Sequence, residues 1–268
     1  MQTLIKRQPV VAAFVFGIIG LGILRGSGWL FGNPVPPTAK LAVTYVVIIA
    51  LTVALLFIFG LGKHLNPKVE SASNVLASQQ TTKAGFMMGW PMLVISILLL
   101  TLSVMLSGDI KLSLPSVTTL VLYILFCLGT GIFEELWCRA GVQNLCSMAL
   151  SPVKAVLVAS VFFGLIHLVN LIDSPHMVIG TITQILYAFG IGVYLGYLYM
   201  KTGNIYAAGI WHAIFDFFGL AMIVLAPPAD PSLPAQDLPL FVAVLQLIII
   251  SPLLVIGLRG LKKIEAGK

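Results

Sequence analysis

Charge is the scarcest commodity in this chain. Asp, Glu, Lys and Arg together make up 9% of its 268 residues, where a soluble domain carries about a quarter. So few charges cannot cover a water-facing surface of this size, which excludes both a cytosolic enzyme and a disordered tail protein. Acidic residues are rarer still, 9 against 15 basic ones, for a net charge of +6. No long basic run or interleaved aromatic platform accompanies that excess, so no nucleic-acid partner is implied. Cysteine is limited to Cys127, Cys138 and Cys146, with no C-x-x-C spacing. That excludes a disulfide framework and a zinc knuckle, and the three read as reduced thiols. Internal repeats and low-complexity tracts are missing too. The longest polar loop, about 62–85, is too short to fold alone, so a single transmembrane domain over 1–268 is expected.

What the chain has instead is apolar length. Hydrophobic residues reach 59% and the mean hydropathy is +1.06. Crossing about 30 Å of hydrocarbon takes about 20 helical residues, and eight windows qualify: 9–30, 41–61, 86–106, 117–143, 153–171, 177–200, 205–225 and 238–258. Turn and polar residues separate them, at Asn33-Pro34, along 63–83, at Ser107-Gly108-Asp109, Ser151-Pro152, Asp173-Ser174-Pro175 and Thr202-Gly203-Asn204, and along the proline-rich 227–234. Lys6 and Arg7 ahead of the first window resemble a signal sequence, but no A-x-A-like cleavage site follows, so the window is expected to stay as the first span.

Lysine and arginine are retained on the cytoplasmic side. With the N-terminus inside, Lys6, Arg7, Lys63, Lys68, Lys83, Lys154, Lys201, Arg259, Lys262, Lys263 and Lys268 face the cytoplasm, against Arg25, Lys40 and Lys111 outside. Asp109, Asp173, Asp230 and Asp237 fall outside as well. The expected fold is therefore an all-α polytopic membrane bundle of about eight transmembrane helices with both termini cytoplasmic. Its compact loops point to the cell membrane of a prokaryote.

An ionisable group within hydrocarbon costs at least ~2.5 to 3.5 kcal/mol on insertion scales and marks a functional site by default. The spans contain six: Glu134, Glu135 and Arg139 in the fourth, His167 in the fifth, and His212 with Asp216 in the seventh. One shared polar site explains six such groups on three helices better than six accidents do. Glu135 and Arg139, at i and i+4 with the acid first, are expected to pair. That leaves Glu134 about 100° round the helix with no evident counter-ion, as a general base would be. His212 and Asp216 also lie at i and i+4, so the carboxylate can hold one imidazole nitrogen while the other points at a substrate or a metal. A structural polar clasp between helices would look the same.

Glu-Glu-x-x-x-Arg, Phe-x-x-x-His and His-x-x-x-Asp, carried here as Glu134-Glu135-Arg139, Phe163-His167 and His212-Asp216, resemble the CPBP intramembrane proteases. That family includes the type II CAAX prenyl endopeptidases and bacteriocin-immunity proteins. Each motif is weak alone, but in this order, 32 and 45 residues apart from Glu135 to His167 and from His167 to His212, they form a specific signal over about 117–225. The resemblance implies an intramembrane endopeptidase that hydrolyses a hydrophobic or lipid-anchored peptide at the cytoplasmic side. Glu134 with His167 would activate water, and His212, oriented by Asp216, would stabilise the oxyanion. Glu135 and Arg139 would fix the fourth span. Asp216 stands where the prenyl endopeptidases commonly have Asn, and an ionised Asp would repel an oxyanion unless it pairs with His212 or serves a metal.

A metal-free scheme is therefore favoured beside a zinc-dependent one in which His167, His212, Asp216 and Glu134 are ligands; the chelating H-E-x-x-H pattern is missing. A cysteine-protease reading through Cys138 finds no histidine in its motif. Among other classes, a proton-coupled transporter would show repeats or paired broken helices, and a non-catalytic immunity or peptide-binding protein would keep the constellation without turnover. Counted at 1.5 Å per residue, His212 lies roughly 10 Å and His167 roughly 21 Å from the inner ends of their spans. The fifth span is thus expected to tilt, to kink near Gly164 or to start outside the bilayer, with a pocket open to the cytoplasm.

Overall fold

The computed structural model describes residues 2–31, 39–65, 83–108, 111–227 and 236–267. The expected turn at Asn33-Pro34, Lys68 and most of the polar stretch around it, Asp109, the proline-rich 228–235 with Asp230, and Lys268 lie outside the described residues. Among the described residues the architecture is all-helical, with no strand. All eight apolar windows are helical. We number their main helices α1 (Pro9–Phe31), α2 (Ala39–Ile58), α3 (Trp90–Leu106), α4 (Val117–Glu135), α5 (Pro152–Leu165), α6 (Val178–Thr202), α7 (Ile205–Gly219) and α8 (Leu240–Glu265). Among the described residues six helical stretches are long and apolar enough to cross a membrane, and Val43–Ile58 within α2 is a shorter apolar helix. Helix α7, with 15 residues, is likewise short. The protein is a multi-pass integral membrane protein, and lipid contact explains why large side chains such as Ile18, Phe57, Leu186 and Ile248 are exposed.

The boundaries follow local chemistry. Ser116 caps α4 by accepting from the backbone N–H of Thr119 at 3.1 Å, and Pro152 opens α5 at a position that has no hydrogen-bond partner to lose. Gly203 ends α6 at φ 65°, a left-handed conformation that glycine takes without strain. Two helices depart from simple α geometry. Beyond Glu135 the chain continues as a π-helix, Leu136–Gln143, every residue of which is buried, and then as a short α-helix, Asn144–Ser147. After Leu165, next to Gly164, α5 tightens into a 3-10 turn, Ile166–Val169. The fifth span thus changes its winding where the sequence suggested a kink.

Small residues set the helix crossings, as is usual where lipid supplies no hydrophobic drive for association. A Cβ on Gly131 would lie 2.6 Å from the Gly209 carbonyl oxygen and 2.7 Å from the Ala213 nitrogen, so α4 and α7 touch backbone to backbone. The register of the other contacts fixes direction. Tyr123 of α4 donates to the Phe217 carbonyl at 2.6 Å, so α4 and α7 run antiparallel. Gly164 of α5 sits against Ile185 of α6 while Gly196 sits against Val156, again antiparallel, and α6 runs parallel to α8 through Gly180 with Leu238 and Gly257 with Tyr194. Lys154, Lys201, Lys262 and Lys263 therefore share one end of the bundle, and Asp173 and Asp237 the other.

Candidate active site

The α4–α7 crossing carries the polar site, because Glu134 and Glu135 follow Gly131 by one turn and His212 follows Gly209 by the same interval. Arg139 donates from Nε to Glu135 Oε2 at 2.8 Å and from Nη2 to Oε1 at 3.4 Å, with both side chains fully buried. The expected i, i+4 pair is formed, although Arg139 lies within the π-helix. Glu135 also holds Nδ1 of His212 at 3.1 Å across 77 residues of sequence. Asp216 Oδ2 and Glu134 Oε2 both lie 3.7 Å from Nε2 of the same ring, beyond hydrogen-bond reach. Glu135 is the partner hydrogen-bonded to the ring, because the glycine crossing brings α4 closer to the imidazole than one helical turn brings Asp216, while Asp216, expected to orient His212, stands at ion-pair distance from the other nitrogen.

The aromatic half of the Phe163-His167 pair is as central as the histidine. The Phe163 ring meets the His167 and His212 rings edge-on at 5.5 and 5.6 Å and carries the Arg139 guanidinium over its face at 5.1 Å. His167 Nδ1 is 3.0 Å from the Phe163 carbonyl oxygen, so the donating tautomer leaves Nε2 free to act. Glu134, His167, His212 and Asp216 all line one cavity of about 240 Å³. Glu135 and Arg139 lie behind its wall. Among the described residues, no group of three or more His, Cys, Asp or Glu side chains is arranged to hold a metal ion.

Neutral polar side chains complete the lining, and a search of the sequence for ionisable groups passes over them. Tyr45 and Thr130 share a 2.7 Å hydroxyl contact. Asn170 donates to Gln184 at 2.8 Å. Tyr187 stands beside them. The only signal for these residues was their polarity inside apolar windows. Cys138 is buried among the core residues and does not line the cavity.

A second, mostly apolar cavity of about 500 Å³ adjoins the first, sharing Asn170, Gln184, Tyr187, Phe215, Asp216 and Leu220 with it. It reaches the helix ends at Asp173, Ser174, Met177 and Leu238. The larger cavity thus lies in the half of the bundle away from the lysines, while in the lysine-rich half Leu136–Gln143 is buried along its whole length and belongs to a core with Leu145, Cys146 and Ala155. The roughly 21 Å depth of His167 ceases to be anomalous, since the residue belongs to the open half of its span.

No curated protein matches the chain. Residues 116–218 match the family model described as type II CAAX prenyl endopeptidase Rce1-like, and this matched segment carries Glu134, His167, His212 and Asp216.

Proposed function

We propose that the chain hydrolyses a peptide bond within the membrane without a bound metal, with Glu134 and His167 activating water and His212 stabilising the oxyanion. The observation that supports this most is the convergence of Glu134, His167, His212 and Asp216, from three helices, on one cavity. A water between Glu134 and His167 gives up a proton to the carboxylate as its oxygen attacks the scissile carbonyl. In the imidazolium form His212 donates from Nδ1 to Glu135 and from Nε2 into the cavity, where the oxyanion develops. Glu134 then returns the proton to the leaving amine, and the peptide C–N bond breaks. Asp216, 3.7 Å from Nε2, balances the imidazolium charge between turnovers. The substrate is an apolar or lipidated peptide, in keeping with the apolar walls of the adjoining cavity.

The test is cleavage by detergent-purified protein after exhaustive chelation, with prenylated and unmodified apolar peptides as substrates. Cleavage is expected to survive chelation and to fall at least ~100-fold in Glu134→Gln, the usual contribution of a general base. Restoration only by added zinc would replace this scheme with one in which the same four residues are ligands. Tight peptide binding without turnover would make the chain an immunity or peptide-binding protein.

A further inference from the structure

A threonine inside a membrane helix commonly bonds to its own backbone. Thr52, Thr101, Thr183 and Thr202 each donate to the carbonyl four residues back. Thr130 of α4 is used differently: its hydroxyl oxygen stands 2.7 Å from the phenol oxygen of Tyr45, which belongs to α2. The Tyr45 ring is held in place for that contact. It lies against α4 at Gly129, where an added Cβ would come within 2.5 Å of the ring, and it meets Phe126 edge-on at 5.9 Å. Tyr45 and Thr130 both line the catalytic cavity, and neither lines the larger one. Thr130 precedes Glu134 by one helical turn on the same wall. Two hydroxyls carry two protons, and the bond between them takes one. Among the described residues neither hydroxyl has a second hydrogen-bond partner, so one O–H is left for whatever fills the cavity.

We infer that Tyr45 and Thr130 form a substrate-binding pair, whose remaining O–H donates to a main-chain carbonyl of the peptide lying against Glu134. A peptide in an apolar site carries C=O groups that need donors. An ionised carboxylate only accepts and a phenyl ring offers no hydrogen-bonding proton, so of the residues that α2 and α4 contribute to the cavity, Tyr45, Phe126, Thr130 and Glu134, only the hydroxyl pair can supply one. In the proposed reaction His212 serves the scissile carbonyl. The acceptor for the pair is therefore the carbonyl of a neighbouring peptide unit, and the bond fixes the register in which the substrate meets Glu134. Tyr45 lies outside the 116–218 segment that matches the family model, so the choice of substrate draws on a helix in which the sequence shows no motif.

The inference rests on the protease reading, and its test is separable from it. Binding of a fluorescent apolar peptide is measured on detergent-purified Glu134→Gln, with and without Tyr45→Phe and Thr130→Val together, which remove both hydroxyls and keep the side-chain shapes. Kd is expected to rise about 5- to 150-fold, the range for leaving one buried acceptor unsatisfied, with little change in unfolding temperature. Tyr45→Phe alone removes a single oxygen atom and is expected to shift Kd in the same direction, which keeps the test open where the double change folds poorly. Peptides with an alkene in place of one or the other peptide bond next to the scissile one lack an acceptor carbonyl. For one of them, loss of the hydroxyls is expected to leave Kd unchanged, which closes a cycle between protein and ligand. A pair that merely clasps α2 to α4 would lower the unfolding temperature and leave Kd alone, and that result overturns the inference. So does a loss that is the same for both alkene peptides as for the parent, or a failure of Glu134→Gln to bind the peptide at all. None of these readouts needs catalysis: binding without turnover by the chain that retains Glu134 would remove the protease reading and leave the hydroxyl pair in place.

Discussion

Glu135 has two partners, Arg139 and His212, and its side chain is fully buried. In the proposed reaction it positions the imidazole without touching substrate. Glu135→Gln is expected to lower kcat by about 10 to 100-fold, the usual cost of losing a side chain that orients a catalytic one, with KM little changed and substrate still bound. Equal loss in KM would make its role one of binding. Arg139→Ala is a different experiment, because it strands a buried carboxylate. Removing one member of such a pair costs about 3 to 5 kcal/mol, so the variant should show a markedly lower unfolding temperature in detergent, while Glu135→Gln loses activity at a smaller cost in stability. The contrast also shows what the sequence could reveal. The Glu135–Arg139 pair was legible from its i, i+4 spacing alone. The Glu135–His212 contact was not, because nothing local to 135 or 212 encodes a meeting 77 residues apart.

At the scale of elements, two devices hold the site together. The α4–α7 crossing admits no side chain at Gly131. Gly131→Ala should separate the helices by a few tenths of an ångström or more and cost about 1 to 3 kcal/mol as overpacking does, with a larger fall in activity than in stability because Glu134 moves relative to His212. Gly22→Ala in α1, where an added Cβ meets nothing within 4 Å, is the neutral control. At the open end Asp237 accepts from the backbone N–H groups of Ile179 and Gly180, each at 2.8 Å, and so caps α6 from a distant segment. Loss of water pushes its carboxyl up. The N–H donors of Gly180, Ile179, Leu238 and Val178 outweigh that and hold it below the usual carboxylate range. A depressed native value means that the cap's contribution is complete above the unfolded value, about pH 4, and is lost as pH falls through the native one. Wild-type and Asp237→Asn unfolding temperatures should therefore differ at neutral pH and converge under acid. The helix windows could be read from the sequence. The π-helix could not, since Leu136–Gln143 has the composition of an ordinary helix and only its neighbours force the wider winding.

Across the whole molecule, the positive-end count and the cavity's direction combine into a polarity that neither residue nor helix shows alone. Gln246→Trp, on the far wall of the large cavity and remote from the α4–α7 crossing, should raise KM for long apolar peptides with little effect on unfolding temperature. An unchanged KM would mean that substrate takes another route. The apolar windows and the six ionisable groups within them were written in the chain because hydropathy and expensive charges are local signals. The position of the larger cavity depends on which half of the bundle is filled, and the lysines mark a membrane side without saying which side is packed.

The wall that the two cavities share at Tyr187 and Asp216 also has consequences in time. In the proposed reaction a fragment left in the larger cavity, beside Asp216 and Tyr187, occupies the place that the next substrate needs, so it competes with the next arrival. The newly formed end nearest Glu134 has the farthest to travel. Turnover should accordingly slow as fragments accumulate, with competitive inhibition by the apolar half of the product and an initial burst of cleavage, close to one event per protein molecule, before a slower steady rate set by departure.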